Sequence, residues 1–331
     1  MPSGAVSGTA GRTPSDPRAP HARDLRWLAD SYDQAQHARI DSGDRMLAIV
    51  RSRASHDTVH AGDTDGARLL ADIRNGATDG PVELLGRAYR RHWQAEQELR
   101  RAMTLAVADH PAWPWLGRVK GVGTMFAAQL LARLDVHRAP HPSSFWAYCG
   151  LATVPGIEYH CTACGLRVSH PVRHRIDPRH NRPRTATTCT GVLEPCRGPD
   201  DNVRVAQPRP EAGERATYDQ RARKLCDLIG ASFLRSPSPY GDHYRREHAR
   251  LAKARPGWTG RRIHFAALRR TEKLFLAHLW VVWRRAEGLP YGTPYARAAR
   301  NRAEYIPPEA MIGAAEPPAA LKRSDESAKP E

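Results

Sequence analysis

No run of apolar residues in the chain is long enough to cross a bilayer. The longest, "LFLAHLWVVW" at 274–283, is interrupted by His278, whereas a spanning helix needs about 20 apolar residues. The first stretch, "MPSGAVSGTAGRTPSDPRAPH", has no apolar segment of the kind a signal peptide carries. A cytoplasmic protein with no membrane partner is therefore expected. Lysine is scarce, with 6 against 45 arginines. Acidic residues are also in deficit, with 35 against 51 basic ones, for a formal net charge of +16. Such a balance points to an anionic partner, most often nucleic acid. There is no internal repeat, and only the cysteine-bearing segment departs from helical patterning.

Charge is also distributed unevenly. Residues 1–120 hold 17 basic and 15 acidic residues, whereas 215–290 hold 17 and 6, a net of +11. A codon bias toward arginine acts along a whole chain and does not concentrate charge in one quarter of it. In 215–290, arginines come in pairs: Arg245 and Arg246, Arg261 and Arg262, Arg269 and Arg270, Arg284 and Arg285. Arg262, Arg269 and Lys273 share one helical face. A solvated bundle face is the ordinary reading of such runs. Their number here favours a nucleic-acid footprint built from Arg245, Arg246, Arg261, Arg262, Arg269, Arg270 and Lys273.

Periodicity divides the chain. Residues 1–22 and 306–331 are expected to be disordered tails. In 23–110, Leu25, Leu28, Tyr32, Ala35, Met46, Leu47 and Val50 mark one helix, and Val82, Leu85, Tyr89, Trp93, Glu96, Leu99 and Met103 mark another. Together they predict a helical hairpin arm, either packed in the core or used for dimerisation. Asp24, Asp30, Asp33, Asp41 and Asp44 fall on the first helix and read as a solvated face. Residues 111–157 predict a compact helical unit and 158–215 a small insertion. Basic helices follow in 216–305, with Pro237, Pro239, Pro256 and Gly288 as their stops.

In the helical unit, "KGVGTMFAAQLLARLD" (120–135) sets Gly121 and Gly123 around Val122, just before an apolar helix. Glycine permits a positive φ and close approach of another backbone. Amides opening the second helix can hold a phosphate oxygen, helped by the helix dipole and by Lys120. Lys120, Gly121, Val122, Gly123 and Thr124 are thus a candidate backbone grip of the helix-hairpin-helix kind. A glycine turn between packed helices, without a ligand, explains the same residues.

The insertion carries Cys161-x-x-Cys164, then Cys189 and Cys196. In a reducing compartment such a cluster favours metal over disulfide. Cys161, Cys164, Cys189 and Cys196 are the candidate ligands of a structural zinc, with Gly165 freeing the knuckle turn. His160, His170, His174 or His180 can replace one cysteine. Arg167, Arg173, Arg175, Arg179, Arg182 and Arg184 surround these histidines, so the stapled loop also suits a phosphate backbone. Cys149 and Cys226 lie in apolar helical contexts and read as buried thiols.

The stretch "GVGTMFAAQLLARLDVHRAPHPSSFWAYCGLATVPG" resembles the C-terminal domain of insertion-sequence transposases of the IS-one-ten and IS-one-sixteen type. The matching features are Gly121 and Gly123, Ala127 and Ala128, Asp135, Pro142 to Ser144, and Tyr148-Cys149-Gly150-Leu151. "SPYGDHYRREHARL" and "IHFAALRRTEKLFLAHLW" are similar to the family's later helices. The resemblance covers 112–157 and 217–290. It implies a mainly α fold with a helix-hairpin-helix bundle, double-stranded DNA as partner, and a role in transposition or recombination near the nucleoid. It also brings in a structured guide RNA as a partner, and Mg²⁺ if the chain is catalytic. Two family features have no counterpart: the acidic metal cluster of an N-terminal RuvC-like domain, and a Ser-Gly pair after Gly-Leu, where this chain reads "ATVPGIEYHC". A non-catalytic DNA-binding relative and a structured-RNA-binding protein are the alternatives. Ser143 and Ser144 read as helix caps.

Overall fold

The computed structural model describes residues 21–54, 63–76, 83–172, 177–181, 187–196, 203–208, 210, 213–292 and 306–312. They form a mainly α structure, as the periodicity predicts, with one small sheet in the cysteine-bearing part. The chain divides into two compact units, one from Met1–Gly117 and Gly123–Arg133, the other from Arg118–Val122 and Leu134–Ala315. The boundary therefore cuts through the glycine hairpin, and 111–157 is not one unit.

In the first unit, α1 (Leu25–Ala54) and α3 (Glu83–Ala108) run antiparallel, with α2 (Asp63–Arg74), α4 (Trp113–Leu116) and α5 (Thr124–Arg133). The α2 helix begins inside "HDTVHAGDTDG" (56–66), whose polar, turn-rich composition reads as a loop. Leu25, Leu28, Tyr32 and Met46 are buried along α1, and Tyr89, Met103 and Val107 along α3. Met46, Ile73 and Tyr89 form one apolar cluster.

A buried carboxylate, Glu96, sits on the same stripe. Tyr32 Oη and Gln36 Nε2 donate to it at 3.4 and 3.3 Å, and Arg39 closes the pair. Arg133 ends α5 buried; its guanidinium donates to Asp33 at 2.6 Å and lies 3.7 Å from Asp30. Asp33 is therefore a structural partner and not part of a solvated face. Asp41 and Asp44 are exposed, as their pattern predicts.

The second unit holds α6 (Pro142–Tyr148), β1 (Thr153–His160), β2 (Arg167–Pro171), β3 (Glu194–Pro195), β4 (Val203–Ala206), α7 (Gln220–Arg235), α8 (Pro239–Ala254) and α9 (Gly260–Ala286). Strand β1 is central and antiparallel to the other three, with β2 on one side. It starts before residue 158, with the β-favouring Thr153, Val154, Ile157 and Tyr159 along it.

Side chains of Asp219, Ser238 and Thr259 cap α7, α8 and α9 by accepting first-turn amides. His141, not a serine, occupies the N-cap of α6. Phe233 stacks on Tyr240 at 4.7 Å, and Phe275 meets both rings edge-on. His278 is buried beside them, with Tyr240 Oη 2.9 Å from Nδ1 and the Ile306 carbonyl 2.9 Å from Nε2. Residues 306–312 are consequently ordered: Pro308–Met311 forms a 3-10 turn with Met311 buried. The remainder of both expected tails, 1–20 and 313–331, lies outside the described residues.

Candidate metal centre and basic face

The tight turn after β1 places Cys161 and Cys164 on one side. The Gly165 amide donates to the Cys161 carbonyl at 2.8 Å, with Gly165 at φ +70°. A second loop folds over this knuckle. Cys189 N donates to the His180 carbonyl and Leu193 N to the Pro178 carbonyl. Gly191 allows the closeness, since a Cβ there would stand 2.8 Å from Cys161 Sγ and 2.6 Å from Ala163 Cβ. The result is a four-donor cluster of Cys161, Cys164, His180 and Cys189, whose ligand atoms all lie within 4.8 Å of one another.

The donors fit a metal ion in chemistry as well as in spacing. His180 Nε2 faces Cys164 Sγ at 3.1 Å, while Nδ1 lies 3.4 Å from the Pro178 carbonyl. A carbonyl beside one ring nitrogen fixes the ring so that the other faces the site as ligand. Gly191 N points to Cys189 Sγ at 3.4 Å, the amide-to-sulfur contact of such knuckles. Burial, then the Cys161 and Cys189 thiols, raise the Cys164 pKa. A divalent cation reverses that crowding by stabilising thiolates.

Cys196 is a correction to the four-cysteine set. It follows β3, whose pairing with Tyr159 and His160 carries it to the His160 side of β1. There its Sγ sits 3.3 Å from His160 Nδ1, apart from the cluster. His180 fills the fourth position. His170 lies on β2 outside the cluster. His174, Arg173, Arg175, Arg182 and Arg184 fall outside the described residues.

The hairpin glycines differ from one another. Gly121 adopts φ +96°, and a Cβ there would meet Phe233 Cδ1 at 3.0 Å. The close approach it permits is thus to α7 of its own chain. Gly123 is exposed with nothing within 4 Å of a Cβ. Lys120 is exposed, Thr124 half-buried and Val122 buried.

The arginine pairs split in two. Arg246 and Arg261 are exposed without an ion pair among the described residues. Arg245 is 2.5 Å from Asp242, and Arg270 is 2.6 Å from Glu247. Arg262, Arg269 and Lys273 are half-buried on one face of α9. Arg284 is buried and donates to the carbonyls of Val136, Ala139 and Pro290 at 3.0, 3.2 and 2.6 Å, so it is structural. Neighbours on a helix point about 100° apart, so one member of each later pair faces inward.

Sequence pairing alone missed Lys253 and Arg255. Lys253 lies exposed in the last turn of α8, and exposed Arg255 follows it beside Trp258, whose ring centroid is 5.7 Å from Arg255 and 4.3 Å from Arg262. Basic residues in the last turn of a helix were the available signal.

The chain matches no protein-family model and no curated protein sequence. No helix among the described residues is long and apolar enough to cross a membrane.

Proposed function

We propose that this is a transposase-like DNA-binding protein of a mobile element, which clamps duplex DNA through its phosphate backbone. The observation that carries the reading is the exposed, unneutralised charge of α8 and the α8–α9 turn. Arg246 and Lys253 share a stripe on α8, Arg255 follows it, and Arg261 opens α9; none has an ion pair among the described residues. Phosphate contacts of this kind position a protein on DNA without reading bases. The four-donor cluster holds zinc in this reading, because three thiolates and one imidazole suit that ion. Its role is structural: it staples the β-module, which has few buried apolar side chains of its own.

Fluorescence anisotropy with a labelled duplex, titrated across salt, tests the reading. Each neutralised phosphate contributes roughly −0.9 to the log–log salt slope. Replacing Arg246, Lys253, Arg255 and Arg261 with Gln flattens the slope by about 3 to 4. Duplex binding that is absent, or insensitive to salt, refutes the proposal.

A non-catalytic relative is the second reading. Asp33 and Asp30, the half-buried acids of α1, are engaged by Arg133. Strand transfer with Mg²⁺ separates an active enzyme from it, and competition between duplex DNA and structured RNA identifies an RNA-binding protein.

A further inference from the structure

Arg262, Arg269 and Lys273 recur at i, i+7 and i+11 on α9 and are half-buried, whereas their neighbours Arg261 and Arg270 are exposed. Arg262 is accounted for: it donates to Ser169 Oγ of β2 at 3.1 Å and lies over Trp258. Arg269 and Lys273 are not. Among the described residues neither side chain makes a hydrogen bond or a close ion pair, and Arg269 Nε is shielded from solvent with no acceptor. Lys273 Nζ instead sits over the Trp146 ring, 5.2 Å from its centroid. The Trp146 indole N–H donates to the Lys273 carbonyl at 2.9 Å, which ties α6 to this turn of α9.

A third cation arrives from the sheet. Arg204 on β4 is fixed by its donation to Thr153 Oγ1 at 3.2 Å and to the Thr153 carbonyl. Burial, then Arg269 and Arg204, bring the Lys273 pKa down to about 8. On the Arg269 side lie Asp227 and Glu272. Asp227 is bonded by Arg223 at 3.3 Å. Glu272, raised to about 7 by burial and then by Asp227, is partly neutral at physiological pH. The cations therefore exceed the carboxylates. Arg269 and Lys273, like charges held half-buried together, are costly unless an anion joins them.

We propose that Arg269 and Lys273 of α9, Arg204 of β4 and the Trp146 ring form a phosphate-binding subsite that holds one phosphate group of a nucleic-acid strand. A guanidinium fork and an ammonium suit the oxygens of one phosphate. The source of the phosphate rests on the DNA-binding reading above; the anion site itself does not.

Lysine labelling of the full-length, metal-loaded chain tests it. The protein is treated with limiting acetylating reagent at constant ionic strength, and modification is quantified at each lysine by mass spectrometry. Inorganic phosphate at about four times its Kd is expected to slow labelling of Lys273 about fivefold, and a short duplex is expected to do the same. Lys224, exposed on α7, is not slowed by inorganic phosphate. Arg204→Gln and Arg269→Gln each abolish the protection while leaving the thermal transition in place. Should one of them unfold, the other carries the test.

Protection by inorganic phosphate without duplex binding keeps the subsite and overturns the DNA reading. Duplex binding with Lys273 unprotected by either probe overturns the subsite and keeps the DNA reading. Equal protection in both variants also overturns it.

Discussion

Replacing His180 and replacing Cys196 should have opposite consequences, and the contrast tests the metal centre directly. His180 Nε2 lies in the four-donor cluster, and Cys196 Sγ lies beside His160, outside it. Structural zinc in small modules contributes about 10–16 kcal/mol of apparent binding free energy. Shared over four donors, that is roughly 3 kcal/mol per ligand, or on the order of 100-fold in affinity. His180→Ala is therefore expected to weaken zinc binding about 100-fold, measured by competition with a chromogenic chelator. Cys189→Ser is expected to do the same. Cys196→Ser should retain one zinc per chain with affinity changed less than about threefold, since it removes no ligand. Metal analysis of the purified variants supplies the stoichiometry. Zinc lost from Cys196→Ser and kept by His180→Ala would refute the assignment and restore the four-cysteine set.

Three further outcomes follow from the geometry. Gly121→Ala should destabilise the protein by about 1–3 kcal/mol in denaturant melts, because it meets a positive φ and the Phe233 ring, while Gly123→Ala stays within about 0.5 kcal/mol; equal effects would contradict the packing role of Gly121. Arg133→Met takes the guanidinium from half-buried Asp33 and should cost about 3–5 kcal/mol, most of which Asp33→Leu in the same chain recovers; a neutral single variant overturns the pairing. Burial holds the His278 pKa at about 4. The unfolded state therefore binds the extra proton between about pH 6.5 and 4, and the stability that neutral His278 contributes is lost as pH falls through that window, by at most about 1.4 kcal/mol per unit, beside a like loss from buried His110. His278→Gln should flatten this part of the pH–stability curve, and an unchanged slope would show that another group sets it.

Local pattern made much of this protein legible from its residues alone. Helix periodicity placed α1, α3, α7, α8 and α9, because an apolar stripe must be buried and its spacing is set by the backbone. Pro237, Pro239, Pro256 and Gly288 marked the ends of α7, α8 and α9. The Cys161-x-x-Cys164 spacing pointed to a knuckle able to hold a metal, since that turn brings two sulfurs together without help from the rest of the chain. The shared face of Arg262, Arg269 and Lys273 was also readable, because position on one helix is arithmetic.

Partner choice across the fold was not readable. That His180 and not Cys196 completes the cluster depends on how β3 pairs with β1, a long-range register that no local spacing encodes. Which arginine of a pair reaches solvent depends on what packs opposite: carbonyls of Val136 and Ala139 take Arg284, Trp258 and Ser169 take Arg262, and Arg246 stays exposed with no ion pair among the described residues. Asp33 read as a solvated acid because its partner, Arg133, lies 100 residues away in sequence. The residue types and the helical faces that carry charge, sulfur and apolar surface were thus written locally. The pairing of those faces came only with tertiary packing, because burial and electrostatic partnership are properties of the neighbour as much as of the residue.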